Sequence, residues 1–67
     1  MKMKVEIVVP EWANWMAQDK SGEWCFYENK PKHGKMFWMH ATGQADLSHR
    51  GIPPKDWTQE LYKLEWS

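Results

Sequence analysis

The chain has 67 residues, and its nine Lys and Arg residues balance nine Asp and Glu residues, so its formal net charge is zero. A chain of this length buries only about 60% of the surface that its unfolded form exposes, which limits it to a single domain, residues 1–67. Zero net charge provides no long-range field for capturing nucleic acid or a membrane surface, so a general phosphate-backbone binder is disfavoured. Any functional interpretation has to account for the six Trp, two Tyr and two Phe residues.

The first predicted element is a strand over residues 2–9. Charged and apolar side chains alternate there before a β-branched run, which is the pattern of a half-buried strand. Pro10 has no N–H to give to a sheet ladder, so we expect the strand to end there. Trp12 then lies at the bend that leads into the next element.

The apolar run near residue 9 is far too short for a signal peptide or a membrane span. Cys25 is the only cysteine, so an internal disulfide is impossible. From these two features we expect a cytoplasmic protein that has no membrane partner.

A β-hairpin is predicted next, with residues 14–18 and 23–28 as its antiparallel strands. Asp19 suits the first position of a type I turn, and Gly22 suits the left-handed position that closes a hairpin through a bulge. The second strand is rich in aromatic residues, which favour extended backbone. Cross-strand aromatic pairs are expected to stabilise the hairpin by about 0.2 to 1 kcal/mol each.

A polar loop follows at residues 29–35, and residues 36–40 form a short apolar run that suits another strand of the same sheet. Together these segments predict a four-stranded meander. Residues 41–54 show no periodicity and are interpreted as a long connection, with Leu47 and Ile52 as its apolar anchors.

A short helix is predicted at the C-terminal end. Asp56 begins a capping-box pattern, and Trp57, Leu61 and Leu64 follow with the spacing of one helical stripe, which Tyr62 flanks. The predicted fold class is therefore α+β: a small twisted antiparallel sheet of about four strands with one short C-terminal helix.

The residue types of a zinc site are present, but their spacing does not fit one. The candidates Cys25, His33, His40 and His49 are separated by eight, seven and nine positions, whereas structural zinc sites use closely spaced ligand pairs. A thiol between Trp24 and Phe26 is interpreted as a buried strand residue and not as a nucleophile. We expect no metal, no cofactor and no enzymatic activity.

The aromatic residues are expected to serve both the core and a partner. Trp24 and Phe26 lie on one face of the predicted hairpin, and Cys25 and Tyr27 lie on the other. A small sheet with one helix covers only one face well, so clustered rings on the other face suit a protein-binding surface or a homodimer interface. In the alternative, residues 41–54 fold over those rings.

The residues predicted to bind a partner are Trp15, Tyr27, Trp38, Lys30, Lys32 and Lys35. The three lysines, with His33, form the densest basic segment of the chain, and Trp38 follows closely. Basic residues beside an aromatic ring also occur on surfaces that bind single-stranded nucleic acid, where bases stack on the ring. Because zero net charge disfavours that function, a solvated loop is the favoured interpretation of this segment.

Aromatic and turn residues in the middle of the chain carry a family resemblance. The pattern is W-A, then A-x-D-x-x-G-x-W-x-x-Y-E-x-x-P, and it resembles small phage-encoded proteins of unassigned function. It is met by Trp12, Ala13, Ala17, Asp19, Gly22, Trp24, Tyr27, Glu28 and Pro31, with Pro54, Trp57 and Leu61 following in a later element. The resemblance covers about a third of the chain and does not extend to residues 44–50.

The resemblance implies an accessory protein of a phage or prophage, made inside a bacterium, and it brings no catalytic residues. Small neutral phage proteins commonly bind a host protein and block it. We therefore expect a non-enzymatic protein that binds and inhibits a host bacterial defence or replication protein, and that can also form a homodimer. The alternatives are a single-strand nucleic-acid binder that uses the basic loop and Trp38, and a component of the virion or its assembly.

Overall fold

A computed structural model describes residues 7–65 and contains two antiparallel sheets. The larger sheet has four strands in the spatial order β5-β2-β1-β6, and the smaller one pairs β3 with β4. The predicted α+β class is wrong, because the described residues form no α-helix and only one 3₁₀ turn, at Trp57–Gln59. The strands are β1 (Trp15–Gln18), β2 (Glu23–Tyr27), β3 (Lys32–His33), β4 (Trp38–Met39), β5 (Ala45–Arg50) and β6 (Leu61–Lys63).

The predicted hairpin is confirmed as β1 and β2, which pair antiparallel from Trp15↔Tyr27 to Gln18↔Trp24. Two backbone bonds close its turn, from the Asp19 N–H to the Glu23 carbonyl and from the Gly22 N–H to the Asp19 carbonyl, both 2.9 Å. Gly22 has φ +98°, and a Cβ at this position would collide with the Gly51 carbonyl oxygen. Glycine is therefore required here both for backbone conformation and for space.

The predicted meander is wrong, because residues 36–40 do not join the sheet of β1 and β2. Within that segment only Trp38–Met39 is a strand, β4, and it pairs with β3 in a separate sheet. The open edge of β2 is filled by β5, which lies in the predicted connection 41–54. Most of β5 is solvent-exposed on both faces, so its sequence needs no apolar alternation and its pairing comes from backbone hydrogen bonds.

The predicted C-terminal helix is also wrong. Asp56 does cap a turn, since its Oδ1 accepts hydrogen bonds from the backbone N–H (3.1 Å) and the hydroxyl (2.6 Å) of Thr58. The backbone leaves helical conformation at Glu60, and β6 then pairs with β1 through Ala17↔Leu61 and Trp15↔Lys63. A few residues of helical pattern do not offset the cost of helix nucleation, whereas β1 offered an unpaired edge.

The N-terminal strand prediction is tested only in part. Residues 2–6 lie outside the described residues, and residues 7–9 are not in a strand. The bend expected at Trp12 is confirmed as a turn at residues 11–12, and the Ala13 N–H donates to the Pro10 carbonyl at 3.0 Å.

The core lies between the two sheets and is built from Ala17, Tyr27 and Trp38. Four partly buried side chains pack around it: Trp15, Cys25, Trp57 and Leu61. Trp15, Ala17, Cys25, Tyr27 and Leu61 are cross-strand neighbours in the larger sheet, so they share the face that meets β4. Phe26 points to the opposite face of the larger sheet and is also buried. Both faces of this sheet therefore carry buried side chains.

Candidate functional site

Trp38 was predicted to face a partner, but it is only 6% exposed and belongs to the core. Its indole Nε1–H donates to the Gln18 carbonyl, and its backbone N–H donates to Asp19 Oδ1, both at 2.9 Å. The ring also meets Trp57 edge-on, at 5.9 Å between centroids. Trp38 therefore anchors the small sheet to the β1–β2 hairpin, and the expectation of an exposed ring at this position is wrong.

Burial of Trp38 turns its strand neighbour Met39 to the opposite, exposed side, because successive side chains of a strand alternate. Met36 and Phe37 lie in the bend that precedes β4. The exposed fractions are 66% for Met36, 56% for Phe37 and 55% for Met39. A bond of 2.8 Å from the Gly34 N–H to the Phe37 carbonyl closes the turn that carries them. Met36, Phe37 and Met39 lie on the small β3–β4 hairpin, in and after its turn. We call these three residues the hairpin patch.

The hairpin patch was not among the predicted site residues. Its signal in the sequence was the run of residues 36–40, in which three large apolar residues surround one tryptophan. The sequence predicts a strand of the main sheet for this run, and a strand inside that sheet would not present three neighbouring apolar side chains to solvent. The structure shows that Trp38 is the buried residue of this run and that the other three apolar side chains are exposed.

Tyr27 belongs to the core, and Trp15 packs at its edge. Tyr27 is 4% exposed, so the prediction that it is a surface residue is wrong, and burial raises the pKa of its phenol well above the ordinary value. Its ring lies 5.8 Å from that of His40. Trp15 is half-buried, and Lys30 Nζ lies 5.4 Å from the centroid of its ring, which is within cation–π distance.

The three predicted lysines are all exposed, and the structure brings two of them together. Lys30 and Lys32 line a cavity of about 400 Å³, which we call the basic cavity. The remaining lining residues are His33, Met39, His40 and Ala41. Lys35 is not part of this lining, although it lies in the same loop.

A second concave region lies on the opposite face of the larger sheet, with a volume of about 330 Å³. Trp24 is at its centre, stacked with His49 at 6.4 Å and tilted against Tyr62 at 5.9 Å. Ile7 and Met16 complete the lining. Its side chains are mainly apolar, and it is more open than the basic cavity.

No reacting group stands out at either cavity. Burial, with the charges of Asp19 and Glu23, raises the pKa of the Cys25 thiol, which lowers the fraction of reactive thiolate. Within residues 7–65 no three His, Cys, Asp or Glu side chains are grouped closely enough to hold a metal ion. The side chains that line the two concave regions provide apolar contact and, at the basic cavity, lysine side chains.

Residues 7–65 contain no helix that is both long and apolar enough to cross a membrane. No protein-family model matches the chain, and searches of curated proteins and of solved structures also found no match.

Proposed function

We propose that this protein acts by binding another protein and that the hairpin patch is its contact surface. The observation that carries the proposal is the exposure of three large apolar side chains, Met36, Phe37 and Met39, within four consecutive positions. Single exposed apolar residues are common on soluble proteins, but clustered ones are characteristic of interaction sites.

The anchoring of Trp38 supports the proposal, because it fixes the patch in one orientation before a partner arrives. Its two hydrogen bonds to residues 18 and 19 hold β4 against the rigid β1–β2 hairpin. A preorganised contact loses less conformational freedom on binding than a mobile loop. Full burial of a Phe or Met side chain contributes about 1.5 to 3 kcal/mol, so Met36 and Phe37 are the expected hot spots.

The proposed class of partner is the one that the resemblance to small phage proteins implies. In this proposal the partner is a host bacterial protein of defence or replication, which is blocked when the hairpin patch covers its surface. The protein then acts in the bacterial cytoplasm without catalysis. The competing interpretations are a homodimer formed through the same patch and a role for this protein as a virion or assembly component.

The test is an affinity capture from bacterial lysate that compares the wild type with a Met36→Ser, Phe37→Ser double variant. Ile52→Ser is the matched control, because Ile52 is 87% exposed and lies outside the patch. We expect one partner to be recovered with the wild type and the control and to be lost with the double variant.

Far-UV circular dichroism and a thermal melt establish that each variant is folded. A partner that is captured equally by the double variant contradicts the proposed surface. Sedimentation of the purified protein identifies the homodimer and virion alternatives, which predict dimers or higher oligomers that the double variant abolishes.

A further inference from the structure

We infer that the basic cavity binds an acidic peptide segment of the partner protein, next to the hairpin patch. This inference rests on the proposed function and adds the chemistry of the partner. The segment presents carboxylates to Lys30 and Lys32 and an apolar side chain to Met39, which belongs to both the cavity and the patch.

The positive charge of the cavity is concentrated although the whole chain is neutral. Two lysines and two histidines line it, and Asp and Glu are absent from that lining. Glu28, which precedes the basic loop, is engaged elsewhere, because its Oε1 accepts a 2.9 Å hydrogen bond from the Gln44 backbone N–H. An incoming carboxylate therefore meets donors without a competing carboxylate in the cavity wall.

Contacts behind the basic loop hold the backbone that carries the donors. Pro31, between the two lysines, is fully buried and fixes the path of the loop. Lys30 lies over Trp15, and Lys32 pairs across the small sheet with Met39. The imidazole of His33 packs edge-on against Trp38, at 5.8 Å. Lys30, placed over the Trp15 ring, therefore loses less side-chain entropy on binding than a freely moving lysine does.

An acidic peptide fits this cavity better than single-stranded nucleic acid does. Base stacking needs an accessible ring face. Tyr27 and Trp38 beside the cavity are buried, Trp15 is covered by Lys30, and the exposed ring of Phe37 is not part of the cavity lining. The zero net charge also removes the long-range attraction on which nucleic-acid binders depend. Met39, which is half-exposed, suits an aliphatic side chain of a peptide.

The test measures the fluorescence anisotropy of a short labelled peptide of alternating Asp, Glu and Leu. Probes of the same length are the neutral Asn, Gln and Leu peptide and an oligothymidylate. Of these three probes, we expect the wild type to bind only the acidic peptide. Its affinity should fall as the NaCl concentration is raised. Lys30→Gln and Lys32→Gln should each weaken binding about threefold, and the double variant about tenfold.

Lys55→Gln is the matched control, since Lys55 is exposed and does not line the cavity, and it should bind as the wild type does. If a Gln variant fails to fold, Lys30→Arg and Lys32→Arg keep the charge and should keep binding. No binding of the acidic peptide, or an equal loss with Lys55→Gln, overturns the inference. Tighter binding of the oligothymidylate, weakened by the same lysine variants, replaces it with the nucleic-acid function.

The two proposals fail separately. If the acidic peptide does not bind but capture of a lysate partner still depends on Met36 and Phe37, the proposed function stands and only the chemistry of the partner is wrong. If the peptide binds and no partner depends on the patch, the cavity remains a site while the role of the patch is wrong.

Discussion

Gln18 is the buried polar side chain on which the packing of residues 51–52 depends, and its replacement should destabilise the whole domain. The side chain is 4% exposed, and its amide Nε2 donates to the carbonyls of Gly22 (3.0 Å) and Ile52 (2.8 Å). It joins the end of β1 to the hairpin turn and to the segment after β5. Gln18→Met keeps a linear side chain of similar length and removes both donors.

The expected cost follows from the two lost hydrogen bonds, at about 0.5 to 1.5 kcal/mol each. The Gly22 carbonyl keeps a second donor, the Gly51 N–H at 2.8 Å, so the larger share comes from the Ile52 carbonyl. We expect a loss of about 2 kcal/mol in the free energy of unfolding, or roughly 8 to 16 °C in Tm for a domain of this size. Urea denaturation monitored by tryptophan fluorescence measures it.

Asn14 provides a matched control on the surface. Its amide also donates to two carbonyls, those of Trp12 (3.3 Å) and Glu28 (2.9 Å), but the side chain is exposed. Water replaces such bonds, so Asn14→Leu should cost less than about 0.5 kcal/mol. Equal losses for Gln18→Met and Asn14→Leu would refute the assignment of a special role to the buried amide.

Gln18→Glu extends the test to pH. The introduced carboxylate would face two carbonyl oxygens without an N–H to donate, so burial and repulsion raise its pKa in the folded state. Stability should then be highest at acid pH, where the protonated group donates one bond, and should fall as pH rises through that pKa. If the loss of unfolding free energy relative to the wild type does not change with pH, the Glu side chain has moved out to solvent.

Three further predictions concern the turn, the core and the response to alkali. Gly22→Ala should destabilise by more than about 2 kcal/mol in urea denaturation, because φ +98° is strained for alanine and its Cβ would strike the Gly51 carbonyl; an unchanged midpoint would contradict this. Trp38→Phe keeps a ring in the core but loses the 2.9 Å bond to the Gln18 carbonyl, so we expect a loss of about 1 to 3 kcal/mol and weaker partner capture, because the hairpin patch loosens. Burial holds the pKa of Tyr27 above its ordinary value of 10.0, so the unfolded chain releases this proton first and stability should fall above that pH, by up to about 1.4 kcal/mol per pH unit; Tyr27→Phe should show a shallower decline in urea titrations across this range, and an identical decline would exclude the phenol as its source.

Local chemistry in the sequence was sufficient for the β1–β2 hairpin. Asp19 and Gly22 fit a turn that is closed within a few residues, and the aromatic run after it favours extended backbone. The Asp56 cap was recognisable for the same reason, because its partner Thr58 lies two residues away. These features depend on neighbours in the chain and are therefore written in the sequence.

The candidate site was only partly predictable. Lys30 and Lys32 were expected in a binding surface, and the structure places both in one cavity. Trp38 was predicted to face a partner, but it is a core residue. Aromatic residues suit an interface and a core equally well, so the sequence does not distinguish the two positions. Trp38 is held in the core by hydrogen bonds that Gln18 and Asp19 accept, and these two residues lie 20 and 19 positions away in the chain.

By itself, the sequence determined the central hairpin and its turn and the basic character of residues 30–35. Tertiary structure decided the rest: the two open edges of the hairpin recruited residues 45–50 and 61–63 as strands, although neither segment carries a strand pattern. Backbone hydrogen bonding to an available sheet edge does not depend on side-chain alternation. The periodicity of the sequence therefore did not reveal these two strands. Hydrogen bonds to Gln18 and Asp19, in a distant part of the chain, then decided that Trp38 is a core residue and not a surface residue.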